Sequence, residues 1–292
     1  MWILAYYETI AIIGVGLIGG SIGQAIRSRS LASRIVGIGR SEVRLKEAVR
    51  LGAVDIATTD LATGVAGADV AIVCTPVPGI AETVRLLAES GPNGLLVTDA
   101  GSTKRAIVEA VERNERARAV FVGGHPIAGS ERQGVEFADP ALFEGRVCAI
   151  TPTDRTPIDR VRRAETFWSH LGCRILKIDP VTHDAVLALT SHLPHVVAAA
   201  LASTVPTADL LLAAGAYRDG TRVAGADPAL WADIFLENRM PLLDAIGKFE
   251  EQFAFFRKHL ESGDRNAMIA WWDHARSSRL QYEQRGKPSV ED

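Results

Sequence analysis

The stretch Thr9-Ile10-Ala11-Ile12-Ile13-Gly14-Val15-Gly16-Leu17-Ile18-Gly19-Gly20-Ser21 decides the fold. An apolar run leads into a Gly-x-Gly-x-x-Gly turn, and a helical pattern opens directly behind it. In that setting the spacing is a dinucleotide-binding fingerprint. Gly14 permits the tight turn, Gly16 lets backbone approach a pyrophosphate, and Gly19 allows close helix–strand packing. The amides of Leu17 and Ile18, at the start of the helix, face the phosphates. A glycine-rich turn without a ligand is the plain alternative.

Outward from this turn, short β-rich runs alternate with helical patterns. Strands are expected at residues 9–13, 34–38, 54–57, 69–74, 95–99 and 119–123. Helices are expected at 18–29, 42–51, 80–90, 103–115 and 157–171. Late strands at 146–151 and 174–178 complete the set, with an antiparallel arrangement allowed. Such alternation implies a parallel sheet covered on both faces. After Asp179 the strand signals fade and helical periodicity takes over, with breaks expected near Pro206, residues 215–225 and Pro241. The fold class is therefore α/β: a Rossmann-type, doubly wound, mostly parallel sheet followed by an all-helical dimerisation domain. The expected domains are 1–178 for dinucleotide binding and 179–292 for substrate binding and dimerisation. A long apolar helical region often buries itself against a second copy, so a homodimer is expected.

Bulk composition narrows the function. Hydrophobic residues make up 47% and charged residues 23%, an ordinary globular balance, and 292 residues suit two domains. The formal charge of −3 favours neither nucleic acid nor an anionic membrane as partner. The three cysteines, Cys74, Cys148 and Cys173, are widely spaced and lack Cys-x-x-Cys spacing. A disulfide framework or metal site is not expected, and a reducing cytoplasm is. The start of the chain lacks the basic leader of a signal peptide. The nearly uncharged stretch 195–217 is interrupted by Pro206 and Asp209 and reads as two helices buried in the protein rather than a membrane span.

Polar residues gather at the carboxyl ends of the expected strands. Arg40 and Ser41 follow the second strand, where an NAD-binding chain usually carries an acidic residue for the ribose hydroxyls. A guanidinium and a hydroxyl suit a 2′-phosphate, so NADP is favoured; Glu42, one residue on, keeps NAD as the alternative. Cys74-Thr75-Pro76 ends the fourth strand where a nucleotide would pass, with Cys74 read as a small buried hydrophobe. Ser102 follows the fifth strand; it or Thr103 would also serve as a helix cap. His125 lies in a glycine-rich loop, Gly123-Gly124-His125-Pro126-Ile127-Ala128-Gly129-Ser130-Glu131, and its ordinary pKa of about 6.5 suits a general base. His192 and His195 share a helix face if the helix holds around Pro194. Arg222 sits beside a glycine-rich break with Asp219, and Trp231 follows. Helix surface for the histidines and an exposed arginine are the plain readings.

Together these segments resemble the prephenate and arogenate dehydrogenases, the TyrA family of tyrosine biosynthesis. The matching pieces are the glycine turn, Asp99-Ala100-Gly101-Ser102-Thr103-Lys104, the His125 loop, Ser191-His192-Leu193-Pro194-His195, and Thr221-Arg222-Val223-Ala224 with Asp227-Pro228 and Trp231. The resemblance implies oxidative decarboxylation of prephenate, or of arogenate. It makes His125 the acceptor of the C4 hydroxyl proton and has Ser102 orient His125 or touch that hydroxyl. Arg222 pairs with a substrate carboxylate, and Asp219 is expected to hold it in place, within the chain or across the dimer. His192, His195, Ser130, Glu131 and Trp231 line the pocket. The implied cofactor is NAD(P), and no metal is implied. No mutase domain is expected before the glycine turn and no regulatory domain after the helices, so tyrosine feedback would act at the active site. A β-hydroxyacid or imine-type dehydrogenase is a rival, but its usual lysine is missing from the helix after Asp179. A non-catalytic nucleotide sensor is the other rival.

Overall fold

The computed structural model describes residues 6–285. The chain divides into two compact units, Met1–Leu242 and Leu243–Asp292. In the first unit the elements run β1 (Tyr7–Ile13), α1 (Leu17–Ser28), β2 (Ala32–Ile38), α2 (Glu42–Arg50), β3 (Ile56–Thr58), α3 (Leu61–Val65), β4 (Val70–Val73), α4 (Ile80–Ser90) and β5 (Leu96–Asp99). They continue with α5 (Arg105–Glu112), α6 (Glu115–Val120), β6 (Phe121–Pro126), β7 (Val147–Thr151), α7 (Ile158–His170) and β8 (Arg174–Lys177). The remainder is helical: α8 (Pro180–Leu187), α9 (Leu193–Thr204), α10 (Gly215–Thr221), α11 (Pro228–Glu237), α12 (Arg239–Glu261) and α13 (Arg265–Arg285).

The strands form one eight-stranded sheet in the order β3-β2-β1-β4-β5-β6-β7-β8. Strands β1 to β6 are parallel; β7 runs antiparallel to β6 and parallel to β8. The period-two pleat explains why both faces are covered. Ile10 and Ile12 of β1, with Val70 and Ile72 of β4, enter one core. Their neighbours Ala11, Ile13, Ala71 and Val73 enter the other. This is the doubly wound Rossmann-type arrangement the glycine turn implied. The strand order reverses direction between β1 and β4, which opens a crevice at their carboxyl ends.

Several helix starts follow ordinary capping chemistry. Asp179 accepts from the amides of Val181 and Thr182, and Asp227 from that of Leu230. The single helix expected at 103–115 is two, α5 and α6, because Asn114 accepts from Ala117 N at 3.0 Å and starts a new helix. The break expected near Pro241 falls at Asn238, between α11 and α12, and Pro241 itself lies in the first turn of α12, where a missing amide costs no hydrogen bond. Within the second unit, α12 and α13 reverse at Gly263, with φ +69°. There Phe256 packs on Trp271, with centroids 5.1 Å apart, and Trp271 Nε1 donates to Gln252 Oε1 at 3.1 Å.

One expectation fails outright. The apolar stretch 195–217 is not buried within the chain: Ala198 is the one buried residue of α9. Leu211 and Leu212 are 93% and 92% exposed. Its apolarity therefore does not come from packing inside this chain. Residues Pro180–Thr204 are long and apolar enough to cross a bilayer by composition, with 17% of that window buried. Yet this same segment carries Asp184, whose carboxylate is fastened to α5 in the nucleotide-binding half. That attachment is incompatible with a span.

Candidate active site

The crevice between β1 and β4 has the shape a dinucleotide requires. Gly14 has φ +94°, and a Cβ there would lie 2.8 Å from the Cys74 carbonyl oxygen at the end of β4. A Cβ on Gly19 would lie 2.2 Å from the Gly14 carbonyl oxygen, so helix and turn touch. Gly16, by contrast, faces open space, with nothing within 4 Å of its Cβ position. The two glycines thus close the turn while the middle one leaves room for a pyrophosphate. Burial raises the Cys74 thiol pKa above the ordinary range, with Asp99 adding to the rise, so this side chain is an inert wall. Arg40 and Ser41 are exposed after β2, and Ser41 Oγ also accepts from Arg44 N at 3.4 Å as the α2 cap.

His125 lies on β6, a strand whose position is set by a buried ion pair. The Asp99 carboxylate at the end of β5 contacts Lys104 Nζ, and both side chains are 0% exposed. Asp99 also accepts from Gly101 N at 2.9 Å and from Gly124 N at 3.0 Å, beside His125. His125 Nδ1 meets His183 Nε2 at 2.9 Å. His183 Nδ1 in turn meets Asp184 Oδ1 at 2.7 Å. Asp184 accepts from Lys104 N at 2.8 Å and Arg105 N at 3.0 Å, so it caps α5 from α8. That cap displaces the role expected of Ser102 or Thr103. The His125 pKa lies well below the ordinary imidazole value, through burial first and then His183, Lys104 and His192.

The helical segment reaches the same network. Asn238 Nδ2 donates to the Asp184 carbonyl at 2.8 Å and to His192 Nδ1 at 3.0 Å. A π-helical turn, Ala188–His192, precedes Pro194 in the first turn of α9 and lets the helix continue through it. His192 and His195 consequently both meet Trp231. His195 stacks on the indole at 3.5 Å between centroids, and His192 meets it edge-on at 6.0 Å. Burial takes the His192 pKa down to about 4, against the opposing pull of Asp184. The His195 pKa is also lowered, by burial first and also by the Arg222 guanidinium; its Nδ1–H bond to the Ser191 carbonyl at 2.8 Å opposes this.

Arg222 pairs with Glu131 at 3.0 Å. Asp219 does not hold Arg222 within the chain; it pairs with Arg218, its neighbour on α10, at 3.0 Å. Ser102 makes no hydrogen bond to His125 among the described residues; the inward nitrogen of that ring meets His183. Ser130 Oγ accepts from Arg132 N at 3.2 Å and shapes its own loop. His183, Asp184, Lys104, Asp99 and Asn238 were not singled out from the sequence as site residues. One signal was available: adjacent His183 and Asp184 sit in the middle of a mostly apolar helix, where an ionisable pair is costly unless partnered.

Known proteins resemble this chain over most of its length. Residues 22–177 match the nucleotide-binding domain of prephenate dehydrogenase, and residues 179–274 match its dimerization domain. The prephenate dehydrogenase of Bacillus subtilis is 34% identical over 279 residues, 93% of this chain and 75% of that protein. The cyclohexadienyl dehydrogenase of Zymomonas mobilis is 31% identical over 284 residues, 95% of this chain and 97% of that protein. The crystal structure of prephenate dehydrogenase from Aquifex aeolicus with hydroxyphenyl propionate and NAD+ superposes with a TM-score of 0.87 at 31% identity, covering 94% of this chain and 98% of that one. Fold and sequence agree, and the chain belongs to the prephenate dehydrogenase family.

Proposed function

We propose that this chain oxidises and decarboxylates prephenate to 4-hydroxyphenylpyruvate with a nicotinamide dinucleotide, arogenate being the alternative substrate. The observation that carries this reading is the continuous network joining His125 to His192, His195 and Trp231 through His183, Asp184 and Asn238. Gly14, Gly16 and Gly19, the amides of Leu17 and Ile18, and Cys74-Thr75-Pro76 would hold the dinucleotide. The nicotinamide ring, when bound, supplies the hydride acceptor. His125 Nε2 takes the proton of the C4 hydroxyl as the C4–H bond breaks. Loss of carbon dioxide from C1 returns its electron pair to the ring, and His125 gives the proton back to the phenolate oxygen. Ser102 contacts the reacting hydroxyl. His192, His195, Ser130, Glu131 and Trp231 line the substrate side, and Arg222 pairs with a carboxylate, the strong charge-assisted kind of contact.

NADP is the proposed preference. Arg40 is exposed beside the Ser41 hydroxyl, and no ion pair neutralises it among the described residues, which leaves it available to a 2′-phosphate. Steady-state kinetics with prephenate and arogenate, each with NAD and NADP, test the reading through absorbance at 340 nm. The highest kcat/KM is expected with prephenate and NADP. No turnover with either substrate would end the proposal, and equal or better values with NAD would end the cofactor preference.

Arg222→Gln should raise KM more than it lowers kcat, as loss of uniform binding does. In the structure Glu131 takes one guanidinium nitrogen, Nη1, and the other donors can meet a substrate carboxylate. An unchanged KM would remove Arg222 from carboxylate binding. We also propose that the functional division falls after residue 178, that two copies assemble through the helical part, and that the protein works in the cytoplasm. The dimerization-domain match and the exposed Leu211 and Leu212 support the second point, and three unpaired thiols support the last.

A further inference from the structure

The tautomer of His125 follows from its inward partners. Asp184 is an acceptor on every side: His183 Nδ1 and Lys104 N reach Oδ1, and Arg105 N reaches Oδ2. The amides are the unpaired donors at the start of α5, so the helix terminus already compensates the carboxylate charge. Nothing there requires a second proton on His183: its Nδ1 and the two amides already supply the donors the carboxylate accepts. Neutral His183 therefore points its Nδ1–H at Asp184, which leaves its Nε2 lone pair facing His125. Only one partner fits that lone pair at 2.9 Å: an N–H on His125 Nδ1.

We propose that His183 and Asp184 are positioning residues that hold His125 as the Nδ1–H tautomer, with its Nε2 lone pair turned outward as the base. This rests on the dehydrogenase reading only for what the base acts on. When Nε2 takes the hydroxyl proton, the O–H bond breaks, an N–H bond forms, and the imidazolium keeps its Nδ1–H bond to His183. No proton moves between His183 and Asp184, and the Asp184 carboxylate faces the new positive charge through one ring. The logic is that of the Ser-His-Asp triad, where an acid fixes a histidine's tautomer without itself being protonated. Here a second histidine bridges the gap, because Asp184 is committed to capping α5.

The test is the nitrogen-15 spectrum of histidine-labelled wild-type protein, with His125 assigned by its loss in His125→Asn. A proton on Nδ1 and none on Nε2 near neutral pH is expected. A proton on Nε2 would overturn the proposal. His183→Ala should release the tautomer toward the mixture of a free imidazole. It should lower kcat/KM roughly 10- to 100-fold, the scale on which outer partners of a site's imidazole act. His183→Gln, which keeps an acceptor, should recover part of both. Lost activity with an unchanged His125 spectrum in folded His183→Ala would reduce His183 to packing and overturn the relay. The expected spectrum in a wild-type protein inert toward prephenate and arogenate would leave the relay standing and sink the functional reading.

Discussion

Replacing His125 with Asn lowers kcat by roughly 100-fold or more, the scale of a lost general base. Asn fits the same β6 position and keeps a polar group near His183, so the variant is expected to fold. What it loses is a nitrogen able to take a proton from an alcohol as hydride leaves. The wild-type pH profile carries the same information. The His125 pKa is held well below the ordinary imidazole value by burial, His183, Lys104 and His192. The base is neutral above its pKa, so activity is retained at neutral pH and lost as pH falls through that lowered value. In His125→Asn this acid limb should vanish along with most of the rate. A kcat within a few-fold of wild type, or an acid limb that survives the substitution, would take His125 out of the role.

The largest loss of stability is expected from Lys104→Met. Its ammonium is buried against the Asp99 carboxylate, and both are closed off from water. Removing one member of such a pair leaves an uncompensated buried charge, at a cost of about 3–5 kcal/mol. For a protein of this size that lowers Tm by on the order of 10 °C. A second substitution gives the effect its sign. Asp99→Asn combined with Lys104→Met removes the stranded charge while an amide oxygen still accepts from Gly124 N. The double variant should therefore be more stable than Lys104→Met alone. If Lys104→Met melts within a degree or two of wild type, the pair does not hold β5 to β6 in this way. If the double variant is the less stable, the stranded charge is not the cause.

The β1-turn-α1 unit was legible from sequence because everything that shapes it is local. Gly14, Gly16 and Gly19 act on neighbours within one turn, and the alternation of Ile10, Ala11, Ile12 and Ile13 reports a strand buried on both faces. His125, Arg222 and Trp231 were singled out through motif resemblance, and the structure adds the contact of His125 with His183. The rest was hidden by distance along the chain. His183 lies 58 residues from His125, and Asp184 lies 80 from the amide it caps. Lys104 lies only five residues from Asp99, but its burial follows only once the tertiary fold closes over it. The same limit misread the stretch 195–217: apolarity reports that a surface wants covering, and periodicity does not say whether the cover lies in the same chain.

By itself, then, the sequence determined the doubly wound sheet, the dinucleotide turn and the chemical class, since those depend on periodicity and on residues a few positions apart. Tertiary structure alone decided which nitrogen of His125 meets His183, what caps α5, and that Arg222 meets Glu131 within the chain. Those are hydrogen-bond choices among groups from separate elements. Burial makes an unpaired polar group costly, so the chain must satisfy them together, and no short stretch of it contains the answer.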